Sequence, residues 1–140
     1  MSAYRDIHGA LTGSLMSLNV TMLGDIPIAF EGQYFDPESF DGDLFISENY
    51  LYNNQESLTK KTLDEITGIY QLSVYQKQGK SIAGVLDLVD TIIDNYKHNE
   101  TFSFGCHDAV IINSGRNNGR NENGWYIIDI SILFKADKLR

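Results

Sequence analysis

Cys106, His107 and Asp108 stand in a row, and they are the three residue types of a cysteine hydrolase. Such a site needs thiol, imidazole and carboxylate to meet in space rather than in sequence. Neighbours on extended chain point to opposite sides, so adjacency counts against a triad here. The other histidines, His8 and His98, fall on or beside predicted helices. A Cys–His pair made through the fold stays open beside the simpler reading of a small buried thiol in a turn. His98, Glu100, His107 and Asp108 are the nearest grouping of metal-ligand types, and their spacing matches no closed zinc pattern. Gly79-Lys80-Ser81 lies between a predicted strand and a predicted helix, where a phosphate loop would sit. That loop needs a glycine where Val74 stands, so the tripeptide reads as a tight turn with an N-cap. Carboxylates come in pairs at Asp41 with Asp43 and Asp64 with Glu65, and in a row at Asp87, Asp90 and Asp94. An acid/base pair needs one carboxyl in an apolar cleft. The row instead reads as a solvated helix face or as an acidic surface lining a channel. Arg116, Asn118 and Arg120 belong to a small basic, hydrogen-bonding stretch. It is either a flexible connection or a loop that contacts a partner; nucleic-acid binding would want more charge and interleaved aromatics. No catalytic residue, metal ligand or cofactor is expected from these groups.

Composition supports that reading. The chain has 140 residues and a net charge of −8, with 19 acidic residues against 11 basic ones. Such a balance repels polyanions and argues against a protein whose main work is gripping phosphates. A hydrophobic fraction of 42% is that of an ordinary globular domain. The length fits one domain, 1–140. No apolar run approaches the ~20 residues that span a bilayer. The first residues lack a basic flank followed by an apolar stretch, so no secretory leader is expected and the chain is read as intracellular where it is made. A single cysteine rules out an intrachain disulfide framework.

The elements that would position these groups follow from periodicity. Tyr4, Ile7, Leu11, Leu15 and Leu18 share one helical face, with Ser2 as N-cap, Asn19 and Gly24 as exit, and Gly9 and Gly13 open to close approach. Pro27 to Phe30 reads as a short strand, with Phe35 continuing it. Asp36-Pro37-Glu38-Ser39 and Asp41-Gly42-Asp43 carry turn chemistry. Leu44 to Tyr52 has strand composition, and Asn53 to Leu63 reads as a loop. Ile66 to Gln76 alternates, with Tyr70, Leu72 and Val74 on one face. Ser81 opens the best helix, whose apolar stripe is Ile82, Val85, Leu86, Val89, Ile92, Ile93 and Tyr96. Thr101 to Phe104 and Ala109 to Asn113 read as strands, and Asn113 to Gly124 as a loop. Trp125 to Ala136 is the clearest strand; Tyr126, Ile128, Ile130, Ile132 and Phe134 make one apolar face. The expected fold is α+β: a mostly antiparallel sheet with two amphipathic helices packed on one face.

The run Gly68-Ile69-Tyr70-Gln71-Leu72-Ser73-Val74-Tyr75, the turn at Gly79 and the helix Ser81 to Tyr96 resemble the centre of a phage protein family, the tail terminators of long-tailed bacteriophages. Gly124-Trp125-Tyr126-Ile127-Ile128 with the alternating strand resembles its C-terminal end, and Tyr4-Arg5-Asp6-Ile7 its start. The likeness covers nearly the whole chain in layout and departs most from Leu44 to Leu63. It implies a structural virion protein without enzymatic activity or cofactor. Such a protein forms a hexameric ring on the last tail-tube subunits, stops tube growth and joins the head through a completion or connector protein. It would be assembled in the host cytoplasm, with DNA passing through its pore and no membrane partner. On that reading Trp125, Ile127 and Leu133 pack on a neighbouring subunit, Arg116, Asn118 and Arg120 reach the tube or the head, and Asp87, Asp90 and Asp94 line the pore. Another neck, tail-completion or connector ring protein is the nearest alternative, and a small hydrolase using Cys106 the more distant one.

Overall fold

The computed structural model describes residues 3–52, 63–105 and 107–139. Helix α1 spans Ala3–Leu18 and runs on through a wider turn at Asn19–Leu23. Asn19 ends it. Its buried side-chain amide donates to the Ile26 carbonyl and accepts from the Ile26 N–H, both at 2.8 Å, while Gly24 takes the left-handed conformation. Strand β1 is only Ile28–Ala29. Phe35 does not continue it; that stretch leaves the sheet, and Asp36 caps a tight turn at Pro37–Ser39 through the Glu38 N–H at 3.0 Å.

Strands β2 (Leu44–Tyr52) and β3 (Leu63–Lys77) pair antiparallel, Leu44 opposite Gln76 and Tyr52 opposite Gly68. Residues 53–62, most of the expected Asn53 to Leu63 loop, lie outside the described residues, as do Ser2 and Cys106. Helix α2 spans Ala83–Asn95; its N-cap position is Ile82, which makes no side-chain cap bond, and Ser81, expected as the cap, stands one residue earlier with its hydroxyl accepting from the Ala83 N–H at 3.3 Å. Strands β4 (Thr101–Phe104), β5 (His107–Arg116), β6 (Arg120–Glu122) and β7 (Trp125–Leu139) complete the chain. The expected loop from Asn113 to Gly124 is therefore mostly strand. A bulge between Ile111 and Asn113 lets β5 continue along β7, and β6 then pairs with the start of β7.

The sheet order is β1-β2-β3-β7-β5-β4, antiparallel except for β1 beside β2, with β6 also on β7. Both helices cover one face, as the sequence reading expects. Ile7, Leu11 and Leu15 of α1 and Val85, Val89 and Ile92 of α2 meet Leu72, Val74, Ile128, Ile130, Ile132 and Phe134 in the main core. Gly68 explains itself there. A Cβ would stand 2.8 Å from the Leu51 carbonyl oxygen and 3.2 Å from the Phe134 ring, so only glycine lets Tyr52 and Phe134 flank that position. No helix among the described residues is long and apolar enough to cross a membrane.

Candidate functional site

The groups singled out for chemistry do not converge. Lys80 reaches Asp43 at 3.1 Å, and the Ser81 hydroxyl accepts from the Ala83 N–H, so both side chains are engaged within the chain. His98 donates to the Ile112 carbonyl, His107 pairs with Asp6 of α1 through Nδ1 at 2.5 Å, and Asp108 accepts from Ser103 at 2.6 Å. His98, His107 and Asp108 thus point to separate partners, and among the described residues no grouping could hold a metal. Cys106 lies outside the described residues. Gly9 admits the Phe104 ring, whose atoms would lie 2.6 Å from an added Cβ, rather than another backbone.

Two buried carboxylates organise the molecule instead. Glu48 is on the helix-covered face, because alternation along β2 places it between Ile46 and Tyr50. It accepts from Tyr70 Oη at 2.5 Å and from Thr12 Oγ1 at 3.1 Å, and Thr12 lies 2.6 Å from Tyr50 Oη. Burial holds Tyr70 well above the ordinary tyrosine range, reinforced by Tyr96, Tyr50 and Glu48. Burial likewise pushes the nearby Tyr52 up to about 12, with Glu31 and Tyr4 adding to it. These hydroxyls stay protonated, and that of Tyr70 donates to Glu48. The site is a dry structural network that ties α1 to the sheet. Its sequence signal was the parity of Glu48 with Ile46 and Tyr50 along the strand.

Asp129 is on the opposite face. It accepts from Ser73 at 2.6 Å, from Asn117 at 3.1 Å and from Arg120. Its own N–H donates to Asn117 Oδ1 at 3.1 Å. Burial works against the charged form, but the bonds from Ser73, Asn117 and Arg120 outweigh it and lower the carboxyl below its usual range. Arg120 also meets Glu122 at 3.1 Å. Arg120 is thus engaged within its own chain, holding the β5–β6 turn to the sheet, while Arg116 and Asn118 are exposed. The turn sits close because Gly119 has no side chain: a Cβ would lie 2.0 Å from Tyr126 Oη.

The rest of this back face divides in two. In its upper half Phe45, Trp125 and Ile127 form a second cluster, covered by Phe35 and Phe40 from the segment between β1 and β2. Phe45 stacks on Tyr75 with ring centres 4.4 Å apart and meets Trp125 edge-on at 5.1 Å. An open cleft of about 750 Å³ runs beside it, past Glu38, Phe40, Glu122 and Trp125. The chain's own loop therefore buries Trp125 and Ile127. Little of either side chain is left at the surface, because the segment carrying Phe35 and Phe40 packs against them. In the lower half, Leu51, Ile69 and Leu133 stand opposite one another on β2, β3 and β7. Among the described residues nothing covers Leu51 or Leu133, both exposed. Asp87, Asp90 and Asp94 are exposed on the outer face of α2, as periodicity predicts.

Comparison with known proteins gives the family. A model described as "Phage tail terminator protein" matches residues 6–134. No curated protein matches the sequence. One solved structure superposes with a TM-score of 0.79 over 96% of this chain and 95% of its own, at 12% identity. That protein's name states no activity, and at this identity the likeness shows the fold alone.

Proposed function

This chain belongs to the phage tail terminator family, and from that premise we propose that it forms a ring on the last tail-tube subunits, stops tube growth and offers the surface that joins the head. The family is structural and non-enzymatic, its partner is the tail tube, and its place is the virion tail. The finer steps rest on physics. The observation that carries the ring is the apolar row Leu51, Ile69 and Leu133, whose two outer members are exposed among the described residues. A folded chain leaves such a row open where another surface will cover it. Repeated head-to-tail contacts close into a ring when the rotation is right, and six copies is the number that the family resemblance implies.

The remaining surfaces take roles in that ring. Asp87, Asp90 and Asp94 line the pore, where acidic walls let DNA pass by withholding the phosphate contacts that cause sticking. Arg116 and Asn118 reach the tube or the head-completion protein, and Arg120 holds their turn in place. Assembly takes place in the host cytoplasm.

The test is light scattering on the purified protein with and without tail tubes, with electron microscopy of the same samples. Rings capping one end of each tube are expected. Rings that ignore tubes would move the protein to the head side of the neck, as a connector. Long tubes of this chain alone would make it a tube subunit, and a monomer that neither assembles nor caps would overturn the reading.

A further inference from the structure

The cleft of about 750 Å³ beside the second cluster joins an aromatic floor to an acidic rim. Phe40 and Trp125 line the floor with ring centres 6.2 Å apart, together with the half-buried Tyr75, which is stacked on Phe45. Asp36 and Glu38 reach the rim from the tight turn between β1 and β2, and Glu122 reaches it from β6. Local geometry holds these acids in place. The Asp36 carboxylate accepts from the Glu38 N–H at 3.0 Å. Asn123 and Gly124 take φ values of 51° and 85° and close a two-residue hairpin that sets Glu122 opposite Trp125. Lys77 is the one basic residue along the cleft; it is exposed and forms no ion pair with these acids. Arg120 meets Glu122 but is shared with Asp129. Three carboxylates against one lysine leave the lining negative. Residues 1–2, 53–62, 106 and 140 all attach at the opposite end of the sheet, beside Tyr4, Tyr52, His107 and Leu139, whereas Lys77 and Trp125 mark this end.

We propose that this cleft receives an arginine side chain presented by a partner protein. The acidic rim attracts the cation, and the rings take the flat face of a guanidinium, which a lysine ammonium lacks. The volume falls within the roughly 300–1,000 Å³ of small-ligand sites, so residues flanking the arginine enter with it. The same rim repels phosphate, which excludes nucleic acid as the occupant. Among the described residues no grouping could hold a metal ion, so a bare divalent cation is not the occupant either. The inference goes beyond the ring reading and does not depend on it, because a single chain carries the whole cleft.

The probe is an acetylated and amidated Gly-Arg-Gly tripeptide, added to the full chain and read by the emission of Trp125, its one tryptophan. A saturable change is expected. The same peptide with citrulline or lysine in place of arginine should bind about tenfold more weakly, since citrulline lacks the charge and lysine the flat face. On the protein side, Asp36→Asn with Glu38→Gln should weaken the arginine peptide about tenfold. Asparagine keeps the oxygen that accepts from the Glu38 N–H, so thermal unfolding and Trp125 emission of the free variant should match the unmodified chain. The citrulline comparison uses the unmodified chain and stands even where the variant folds poorly. An arginine peptide that binds no better than its citrulline form overturns the inference, and so does equal binding to a well-folded variant. Sedimentation of the unmodified chain reads ring formation separately, and neither result decides the other.

Discussion

The two faces of the sheet solve the same problem with different means. Each has a buried carboxylate at its centre. Glu48 on the front is met by hydroxyls from α1 and β3, so its bonds run between layers. Asp129 on the back is met by Ser73 of the neighbouring strand, by Asn117 and by a half-exposed Arg120, so its bonds hold a turn to the sheet. The front is sealed by two helices over a continuous core. Among the described residues the back is covered only in its upper half, by a segment with few backbone bonds of its own, such as Gln33 to Phe30 and Phe40 to Pro37. The front therefore holds most of the chain's stability. Among the described residues the back is left partly open, and the proposed ring would draw its contact surface from there.

The sharpest way to break that comparison is a cavity in the front. Phe134 is fully buried on β7 and meets Tyr52 edge-on. Phe134→Ala should cost about 3–5 kcal/mol, the range for large aromatic deletions in cores that cannot collapse, read by urea unfolding. A loss below about 1 kcal/mol would mean that the front is no tighter than the back. The next effect is that of Tyr70→Phe. It removes the short bond to Glu48 and leaves a buried carboxyl short of a donor. The expected loss is about 1.5–3 kcal/mol, and pairing it with Glu48→Gln in a double-mutant cycle should show strong coupling.

The front face was legible in the sequence because its signals are periodic. Alternation in β3 and β7 and the stripes of α1 and α2 each report one dry surface, and all agree. Glu48 was missed, although its parity with Ile46 and Tyr50 along β2 is a signal that could have found it. The back was harder for a physical reason. Trp125 and Ile127 carry no mark of what covers them, and their cover comes from Phe35 and Phe40, far away in sequence and without periodicity. The stretch from Asn113 to Gly124 is rich in Gly and Asn and reads as a loop. Its strands form because β7 is long enough to template β5 and β6 end to end, with the bulge near Ile112 absorbing the misfit. Arg120 looks available in the sequence, and only the fold shows that Asp129 claims it. The open row Leu51, Ile69 and Leu133 depends on register, which composition does not give.

A smaller perturbation sharpens the contrast from the back. The chain has one tryptophan, Trp125, so its emission reports the second cluster alone. Phe40 is half-buried and packs on both Phe45 and Trp125. Phe40→Ala should red-shift the emission as water reaches the indole, while lowering global stability by only about 1 kcal/mol, because the covering segment can open locally without the core. A loss as large as that for Phe134→Ala would make the two faces one cooperative unit.

The smallest effect concerns charge. The Asp129 carboxyl is held below its ordinary value of 3.8, so between its folded and unfolded pKa values the unfolded chain binds more protons. Its contribution is then complete above about pH 4 and fades as the pH falls through the folded value. Arg120 is half-exposed, and solvent screens the pair, so Asp129→Asn should cost only about 1 kcal/mol at pH 7. The difference between this variant and the unmodified chain should shrink on acidification, and a difference that stays constant down to pH 2.5 would assign the loss to packing instead. Arg120→Ala should narrow the same pH window while leaving Ser73 and Asn117 in place. Because Arg116 and Asn118 share the turn that Asp129 holds, capping of tail tubes measured across that window should weaken together with the clamp. If capping is indifferent to the clamp, the β5–β6 turn is not the part of the back face that meets the tube.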